Sequence, residues 1–442
     1  MISAFSLFLA AVICSVALGK SVLWAILLGL VIFFLLGLRR GYRPAALWSM
    51  AWKKGREALV IIPVFLLIGT VTALWRASGT IAFFLYYGLG GIPHRWFLLA
   101  AFLLTAALSF ALGTSYGVTG TAGVVLMTLA RSGGVPAAMT AGAVLSGAYF
   151  GDRCSPMSSC AALVALCTRT EFYRNVREML RTAALPTVLT AVFYAVLSVR
   201  SPIAEVNPQV LETLRGGFRL CWPVLLPAAL MLALPLLRVP VKWAMAASSC
   251  TALAVTVLVQ RLPIAEALWA AVAGYVPPQP ELAGILSGGG LCSMVPASLI
   301  VFVTSLYSGI LEGIDALSPV RAAAERLTAR IGLFPAMAAV STLVVAVFCN
   351  QSVAVIMDEQ LMAESYERRG ASRLERAMDI SNSGVLIASL IPWSISVSVP
   401  LRMLDADSSA ILFTALLYLI PLCYLFTKKF FAPAWSGARA RT

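Results

Sequence analysis

Apolar segments follow one another along almost the whole chain, and the connections between them are short and rich in Arg, Pro and Gly. A membrane-spanning helix takes about 20 largely apolar residues, and most of the segments are close to that length or longer. We therefore predict an all-α polytopic membrane protein that is embedded in the lipid bilayer. The segments lie at about 2–19, 21–38, 58–75, 96–130, 137–168, 183–199, 219–237, 241–259, 282–311, 333–357, 384–401 and 409–427.

The connections leave no room for an extramembrane domain, since the longest polar stretch, residues 358–382, is interpreted as a loop with at most one helix. Composition supports this reading, because 60% of the residues are hydrophobic and only 12% are charged, against roughly 25% in soluble domains. The segment 1–19 has no basic residue before its apolar core, which favours a first transmembrane helix over a signal peptide.

Basic residues occur in clusters between the apolar segments. The net charge of +14 therefore indicates loops that obey the positive-inside rule, and no nucleic-acid partner is predicted. This places the N- and C-termini in the cytoplasm of a multi-pass cell-membrane protein. The clusters are Arg39, Arg40, Arg43, Lys53, Lys54 and Arg56; Arg169, Arg174, Arg177 and Arg181; Arg321, Arg326 and Arg330; Arg368, Arg369, Arg373 and Arg376; and Lys428, Lys429, Arg439 and Arg441.

These loops can all be cytoplasmic only if segments 96–130 and 333–357 each turn back to the side from which they entered. The two segments begin 237 residues apart, and the same shift aligns Ser146-Gly147 with Ser383-Gly384. We predict two inverted-topology repeats with re-entrant hairpins and broken helices, an architecture common in secondary transporters. The predicted parts are an N-terminal helix pair (1–57), the first repeat (58–168), connecting helices (169–281), the second repeat (282–405), and a C-terminal helix with a basic tail (406–442).

Glycine and polar residues interrupt the two turned-back segments and predict unwound helix there. The first interruption covers residues 113–117 and includes Thr114 and Ser115, and the second includes Asn350 and Gln351. Unwound backbone is tolerated in a bilayer only where it lines a cavity or binds an ion. The alternatives are a Gly/Thr packing face for the first interruption and simple interhelical hydrogen bonding for the second.

Asp152 and Arg153 lie in the middle of the apolar segment 137–168, and Pro156 predicts a broken helix beside them. An intramembrane carboxylate is costly and by default functional. The alternative is a structural clamp in which Asp152 pairs with Arg153. Residues 379–384 form a matching polar entry to a second Pro-broken helix.

Asp152 is the one carboxylate that the pattern places clearly inside the membrane. The other acidic residues are interpreted as lying in loops or at segment ends. Glu178 and Asp358 are assigned to loops, and Asp379 is expected to precede its helix. By elimination, Asp152 is the candidate carrier of an exchanged proton.

Several of these motifs together resemble the NhaC family of bacterial sodium/proton antiporters. The resemblance implies an ion-transporter-superfamily fold, a cytoplasmic-membrane location, cation/proton exchange and a homodimer. The chain departs from the family pattern at Ser159, Asn350 and Ser394, and some relatives exchange organic solutes instead. The motifs are residues 113–117, residues 146–153 with Ser155-Pro156, residues 366–370, and Ser383-Gly384 with residues 390–393.

The leading hypothesis is a Na⁺ (or other monovalent cation)/H⁺ antiporter, in which one carboxylate holds either a proton or a cation and neutral oxygens complete the shell. The alternative is exchange or uptake of a small organic anion or amino acid held by Arg153 or by half-helix N-termini. The predicted site comprises Asp152, Arg153, Ser155, Thr114, Ser115, Asn350, Gln351, Ser383 and Asp379, with Asp152, Thr114 and Asn350 as Na⁺ ligands.

Other chemistry has little support in the sequence. Nine cysteines without a CxxC pair and the single His94 supply no zinc motif, and there is no HExxH. An intramembrane protease would need paired aspartates or a serine with a base. We therefore expect no enzyme and no cofactor beyond the transported Na⁺ and H⁺.

Overall fold

The structure is a computed structural model that describes residues 2–18, 22–88, 94–202, 208–237, 239–315 and 318–436. The fold is all-α, as predicted, and within these ranges the only β-type pairing is an isolated bridge between Tyr275 and Gly288. Arg439 and Arg441 of the basic tail lie outside the described residues, as does the His94 side chain.

The helices of the first half alternate between long elements and short broken ones. In order they are α1 Ile2–Ala17, α2 Val22–Arg39, α3 Pro44–Ala77, α4 Thr80–Gly88, α5 Phe97–Leu112, α6 Ser115–Val118, α7 Val124–Ser132, α8 Ala137–Cys154, α9 Ser159–Thr168 and α10 Phe172–Arg200. A π-helical turn, Thr119–Gly123, connects α6 to α7, and a 3-10 turn, His94–Trp96, precedes α5.

The second half repeats this alternation. Its helices are α11 Pro208–Gly217, α12 Leu226–Leu236, α13 Val241–Leu258, α14 Ile264–Ala273, α15 Pro280–Leu286, α16 Val295–Gly313, α17 Ser318–Ile331, α18 Leu333–Phe348, α19 Gln351–Arg368, α20 Arg373–Asn382, α21 Gly384–Ile387, α22 Ile395–Met403 and α23 Ala415–Ser436. The 3-10 turns are Trp222–Leu225, Leu291–Met294 and Ser408–Phe413.

Few of the described helices are long and apolar enough to cross a membrane as one continuous span. Among the described residues, 22–39, 172–200 and 291–313 are long and apolar enough. Residues 62–77 and 80–87 make a fourth candidate if they are taken as one span bent by 60°. Several other apolar helices are 10–17 residues long, as expected for spans that are interrupted partway.

The element boundaries recur at a spacing of 236 residues, one less than the shift seen in the sequence. α5 and α18 are both 16 residues long and begin at 97 and 333, which are 236 apart. The same difference separates the starts of α8 and α20 (137 and 373), the starts of α9 and α22 (159 and 395), and the ends of α3 and α16 (77 and 313). One spacing therefore separates these four pairs of element boundaries.

Small residues let the broken helices approach their neighbours closely. A Cβ built on Gly151 of α8 would lie 2.0 Å from the carbonyl carbon of Ser109 in α5, and one built on Gly147 would lie 2.6 Å from the carbonyl oxygen of Phe102. Backbones at this separation resemble the small-residue contacts of membrane helices. α5 and the end of α8 are thereby held together.

Three carboxylates that were expected in loops or just before a helix are instead buried within helices. The stretch 358–382 is not a loop, because α19 continues to Arg368 and α20 covers Arg373–Asn382. Asp358 and Asp379 are completely buried, and Glu178 is 7% exposed within α10. The error arose because charged residues made the stretch look solvated, whereas several of its charges pair with each other, as Arg376 does with Glu359 at 2.8 Å.

Candidate functional site

Two left-handed residues produce the paired breaks. Gly113 ends α5 at φ 67°, and Cys349 ends α18 at φ 56°. The next residue is extended in both cases and caps the following helix through its side chain. Thr114 Oγ1 accepts from the Gly117 amide at 3.2 Å, and Asn350 Oδ1 accepts from the amides of Ser352 and Val353 at 2.9 and 3.3 Å.

Helix capping explains why polar residues occur at these positions. A helix start inside an apolar protein leaves amide groups without partners, and a side-chain oxygen satisfies them. The oxygens of Thr114 and Asn350 are therefore engaged with backbone amides. Two of the three predicted Na⁺ ligands, Thr114 and Asn350, thus cap the helices that follow the two breaks.

Asp152 lies near the end of α8, and its side chain meets the break of the other half. The Gln351 amide donates from Nε2 to Asp152 Oδ2 at 3.4 Å and to the carbonyl oxygen of Val385 at 2.9 Å. The amide and hydroxyl of Ser115 face the same carboxylate. The structure thus brings the two breaks together, as expected from their matching positions.

The carboxylate of Asp152 has polar but uncharged neighbours. The residue is 7% exposed, and across the described ranges no Lys or Arg forms an ion pair with it. A buried carboxylate without a compensating charge is costly unless it holds a proton or a cation. This is the property that an exchange site requires.

The described contacts of Arg153 are with groups other than the Asp152 carboxylate, so they do not form the alternative Asp152–Arg153 clamp. The guanidinium is 1% exposed and donates to acceptors on α10 and α20. Its partners are the carbonyl oxygens of Ser381 (3.1 Å) and Met179 (3.0 Å), Thr182 Oγ1 (2.8 Å), Asn382 Oδ1 (2.6 Å) and Cys154 Sγ (3.0 Å). Because these acceptors occupy it, Arg153 fixes the end of α8 instead of holding a ligand.

Ser155 has a similar structural role. Its hydroxyl donates to the carbonyl oxygen of Phe110 at 2.5 Å and accepts from the Met157 amide at 3.0 Å. The neighbouring Ser158 hydroxyl caps α9 and donates to the Asp152 carbonyl oxygen. These bonds attach the broken end of α8 to α5 and α9.

Asp358 is a functional candidate that the sequence reasoning missed. Its Oδ2 accepts from the Ser341 hydroxyl at 2.6 Å, whereas the buried Oδ1 has no hydrogen-bond partner within the described part of the chain. Ser341 Oγ lies 3.2 Å from Ser383 Oγ, and Ser383 donates to the Asp379 carbonyl oxygen at 2.6 Å. Asp358 is therefore a second buried carboxylate without a basic partner among the described residues.

The segment Ser383-Gly384-Val385 links the two carboxylates. Gly384 packs directly on Asp358, since a Cβ at this position would lie 2.2 Å from Oδ2. The next residue, Val385, accepts from the same Gln351 amide that contacts Asp152. A chain of contacts thus runs from Asp152 through Gln351 to residues 383–385, and from Ser383 through Ser341 to Asp358.

Asp379 lies outside this path. Its carboxylate pairs with Lys428 of α23 and accepts from the hydroxyls of Tyr366 and Tyr424. Glu375 contacts the same Lys428 at 2.9 Å. A carboxylate that pairs with an ammonium group and accepts from two phenols is suited to attaching the C-terminal helix.

Comparisons with known proteins show the family to which the sequence is similar. The sequence model of a family described as "Na+/H+ antiporter family" matches residues 1–169 and 147–428. The chain is 29% identical to the malate-2H⁺/Na⁺-lactate antiporter of Bacillus subtilis (strain 168), over 82% of this chain and 79% of that protein. It is 27% identical to the Na⁺/H⁺ antiporter NhaC of the same organism, over 87% and 90%. It is 28% identical to the arginine/ornithine antiporter ArcD of Halobacterium salinarum, over 75% and 70%.

Proposed function

Because the chain belongs to the Na⁺/H⁺ antiporter family, a family of membrane transporters and not of enzymes, we propose that it exchanges Na⁺ or another monovalent cation for protons at a site centred on Asp152. The observation that carries the proposal is the buried Asp152 carboxylate, which faces the break of the opposite half without a basic partner in the described ranges.

Competition for one carboxylate couples the two fluxes in this proposal. A proton on Asp152 neutralises it, and so does a cation held by the carboxylate with nearby neutral oxygens. The Ser115 hydroxyl is available beside it. A buried Asp152 carboxylate that holds neither a proton nor a cation is costly. The site therefore changes the side of the membrane to which it opens only when Asp152 carries one of these two ions.

We assign Asp358 to the same pathway as a second carboxylate. The assignment is supported by its complete burial, by its unpartnered Oδ1, and by the contact of Gly384 with Oδ2. Ser341 and Ser383 add two hydroxyl oxygens beside it. Carboxylate and hydroxyl oxygens are ligands that suit a hard cation such as Na⁺.

Exchange of a small organic anion or amino acid is the second candidate function. It is supported by the relatives, whose names state malate and lactate in one case and arginine and ornithine in another. The contacts of Arg153 argue against the form of this hypothesis in which that guanidinium holds the substrate, since protein acceptors occupy it.

The membrane orientation and assembly belong to the proposal as well. We place both termini in the cytoplasm, on the support of the basic clusters and the positive-inside rule. The recurring spacing of the element boundaries supports two halves of inverted topology. A homodimer is proposed from the family resemblance alone.

A transport panel tests the proposed substrate. The purified protein is reconstituted into liposomes that enclose a pH-sensitive dye, and Na⁺, Li⁺, K⁺ or an organic anion is added as a gradient. We expect Na⁺ or another monovalent cation to drive proton movement, with no response in protein-free liposomes. Proton movement driven by malate, lactate or an amino acid, and by none of the cations, would replace this function with the second candidate.

A further inference from the structure

A buried guanidinium that forms no ion pair with the described residues lies near the C-terminal end of α3. Arg76 is 4% exposed, its Nε has no hydrogen-bond partner within the described residues, and its Nη1 reaches only the carbonyl oxygen of Thr72 at 3.4 Å. A buried charge is costly unless it is paired. Arg76 is far along the chain from Asp152 and belongs to none of the contacts described above.

The guanidinium lines a cavity of about 200 Å³ between α3, α22 and the loop that precedes residue 291. Thr72, Ser287, Ser293 and Arg402 contribute further polar groups to the lining. Gly288 is exposed at this cavity, and a Cβ built on it would lie 3.6 Å from Arg76 Nη1. The glycine thus leaves open the space in front of the guanidinium.

The charge around the cavity is positive. The one acidic lining residue, Asp405, pairs with Arg131 at 3.0 Å and is 77% exposed. Its charge acts on Arg76 only at a distance, and within the described ranges neither Arg76 nor Arg402 forms an ion pair. Arg76 therefore has no acidic group in contact with it.

We propose that this cavity binds a small organic anion through a carboxylate group that pairs with Arg76. A planar guanidinium matches a carboxylate in geometry and charge, and an anion would remove the cost of burying Arg76 unpaired. Ligand pockets of drug size have about 300–1,000 Å³, so this cavity suits an anion of only a few carbon atoms. The site is separate from the cation site at Asp152 and does not depend on it.

Ligand-dependent unfolding of the full-length protein in detergent tests the proposal. The unfolding temperature is measured against increasing concentrations of acetate and succinate, added as N-methyl-D-glucamine salts, with chloride and phosphate at matched ionic strength. A ligand that binds the folded state raises this temperature, because it stabilises that state by RT ln(1 + [L]/Kd). We expect acetate or succinate to raise it, and chloride and phosphate to have at most a tenth of that apparent affinity.

The variant Arg76→Gln and its control Arg330→Gln make the result specific, since Arg330 is exposed on α17. We expect Arg76→Gln to weaken the carboxylate response at least tenfold without lowering the unfolding temperature of the ligand-free protein, because it removes an unpaired buried charge. Arg330→Gln should respond as the wild type does.

Three results would overturn the proposal. The first is no response of the wild type to either carboxylate, and the second is an equal response to chloride or phosphate, which would indicate a general anion effect. The third is an Arg76→Gln variant that is less stable without ligand yet keeps the full carboxylate response, which would make Arg76 structural. The proton-transport panel for Na⁺ is independent of all three.

Discussion

Replacing Gly384 with alanine should damage cation exchange through a single displaced oxygen. The added Cβ would lie 2.2 Å from Asp358 Oδ2, and 3.4 Å from both Asp358 Cγ and Ser341 Oγ. An ordinary contact begins at 3.4 Å, so the carboxylate oxygen must retreat by about 1.2 Å, the difference between the two distances. That oxygen accepts from Ser341 at 2.6 Å, and the distances make a right angle at Oδ2, so the shift lengthens this bond only to about 2.9 Å, within hydrogen-bonding range. What changes is the position of the oxygen, which moves by about 1.2 Å from where it would hold a cation.

The loss can be expressed as an affinity. A misplacement of about 1 Å in a positioned group can cost about 100-fold, and each 1.4 kcal/mol corresponds to a tenfold change in a binding constant. We therefore expect Gly384→Ala to raise the cation concentration for half-maximal proton exchange by about 10- to 100-fold. The measurement is a cation titration of dye-loaded proteoliposomes at one fixed pH.

Gly120→Ala is the matched control. A Cβ at Gly120 would meet its nearest atoms, Ile68 Cγ2 and Met403 Sδ, at 3.6 Å, which is ordinary contact. This variant should keep the wild-type half-saturation value. A folded Gly384→Ala protein with wild-type half-saturation would refute the assignment of Asp358 to the cation pathway.

Two further predictions concern stability. Arg153→Met should lower the free energy of unfolding by about 3 kcal/mol or more, because it leaves several buried acceptors on α10 and α20 unpaired; an unchanged unfolding temperature in detergent would contradict this. Asp379→Asn should lower the free energy of unfolding by about 1.5–3 kcal/mol, because it removes a charge-assisted bond to Lys428, which keeps its pair with Glu375, and Lys428→Met should then cost less in the Asp379→Asn background than in the wild type. An equal cost of Lys428→Met in the two backgrounds would argue against the ion pair as the cause.

The breaks of the helices were predictable from the sequence because they depend on local chemistry. A left-handed glycine followed by a capping threonine, or an asparagine that begins a helix, has a preferred backbone conformation whatever surrounds it. Residues 113–117 and Asn350 were accordingly placed at interruptions, and the structure has them there. The family was recognisable for the same reason, and the comparison confirms it.

The burial of Asp358 was missed because the surrounding stretch is rich in charge. A helical signal was nevertheless present, since Ala354, Val355, Leu361 and Met362 lie three or four residues from Asp358 and are buried with it. This helical spacing of apolar residues places the Asp358 carboxylate on the inward face of a helix.

The contacts of Arg153 could not be predicted in the same way. Its neighbour in sequence is Asp152, yet the two side chains serve different partners. The partners of each side chain lie on helices that are distant in sequence. These are α10 and α20 for Arg153 and α19 for Asp152. Sequence adjacency therefore suggested an ion pair that the tertiary packing does not form.

Sodium uptake driven by a pH gradient in proteoliposomes that contain Asp152→Asn tests the central claim most directly. The unfolding temperature is measured on the same preparation, and Glu171→Gln, which changes an exposed carboxylate without a capping bond, is the control. We predict that Asp152→Asn is as stable as the wild type and carries no proton-coupled sodium flux, while Glu171→Gln transports normally. Full coupled flux in a well-folded Asp152→Asn protein would contradict the account.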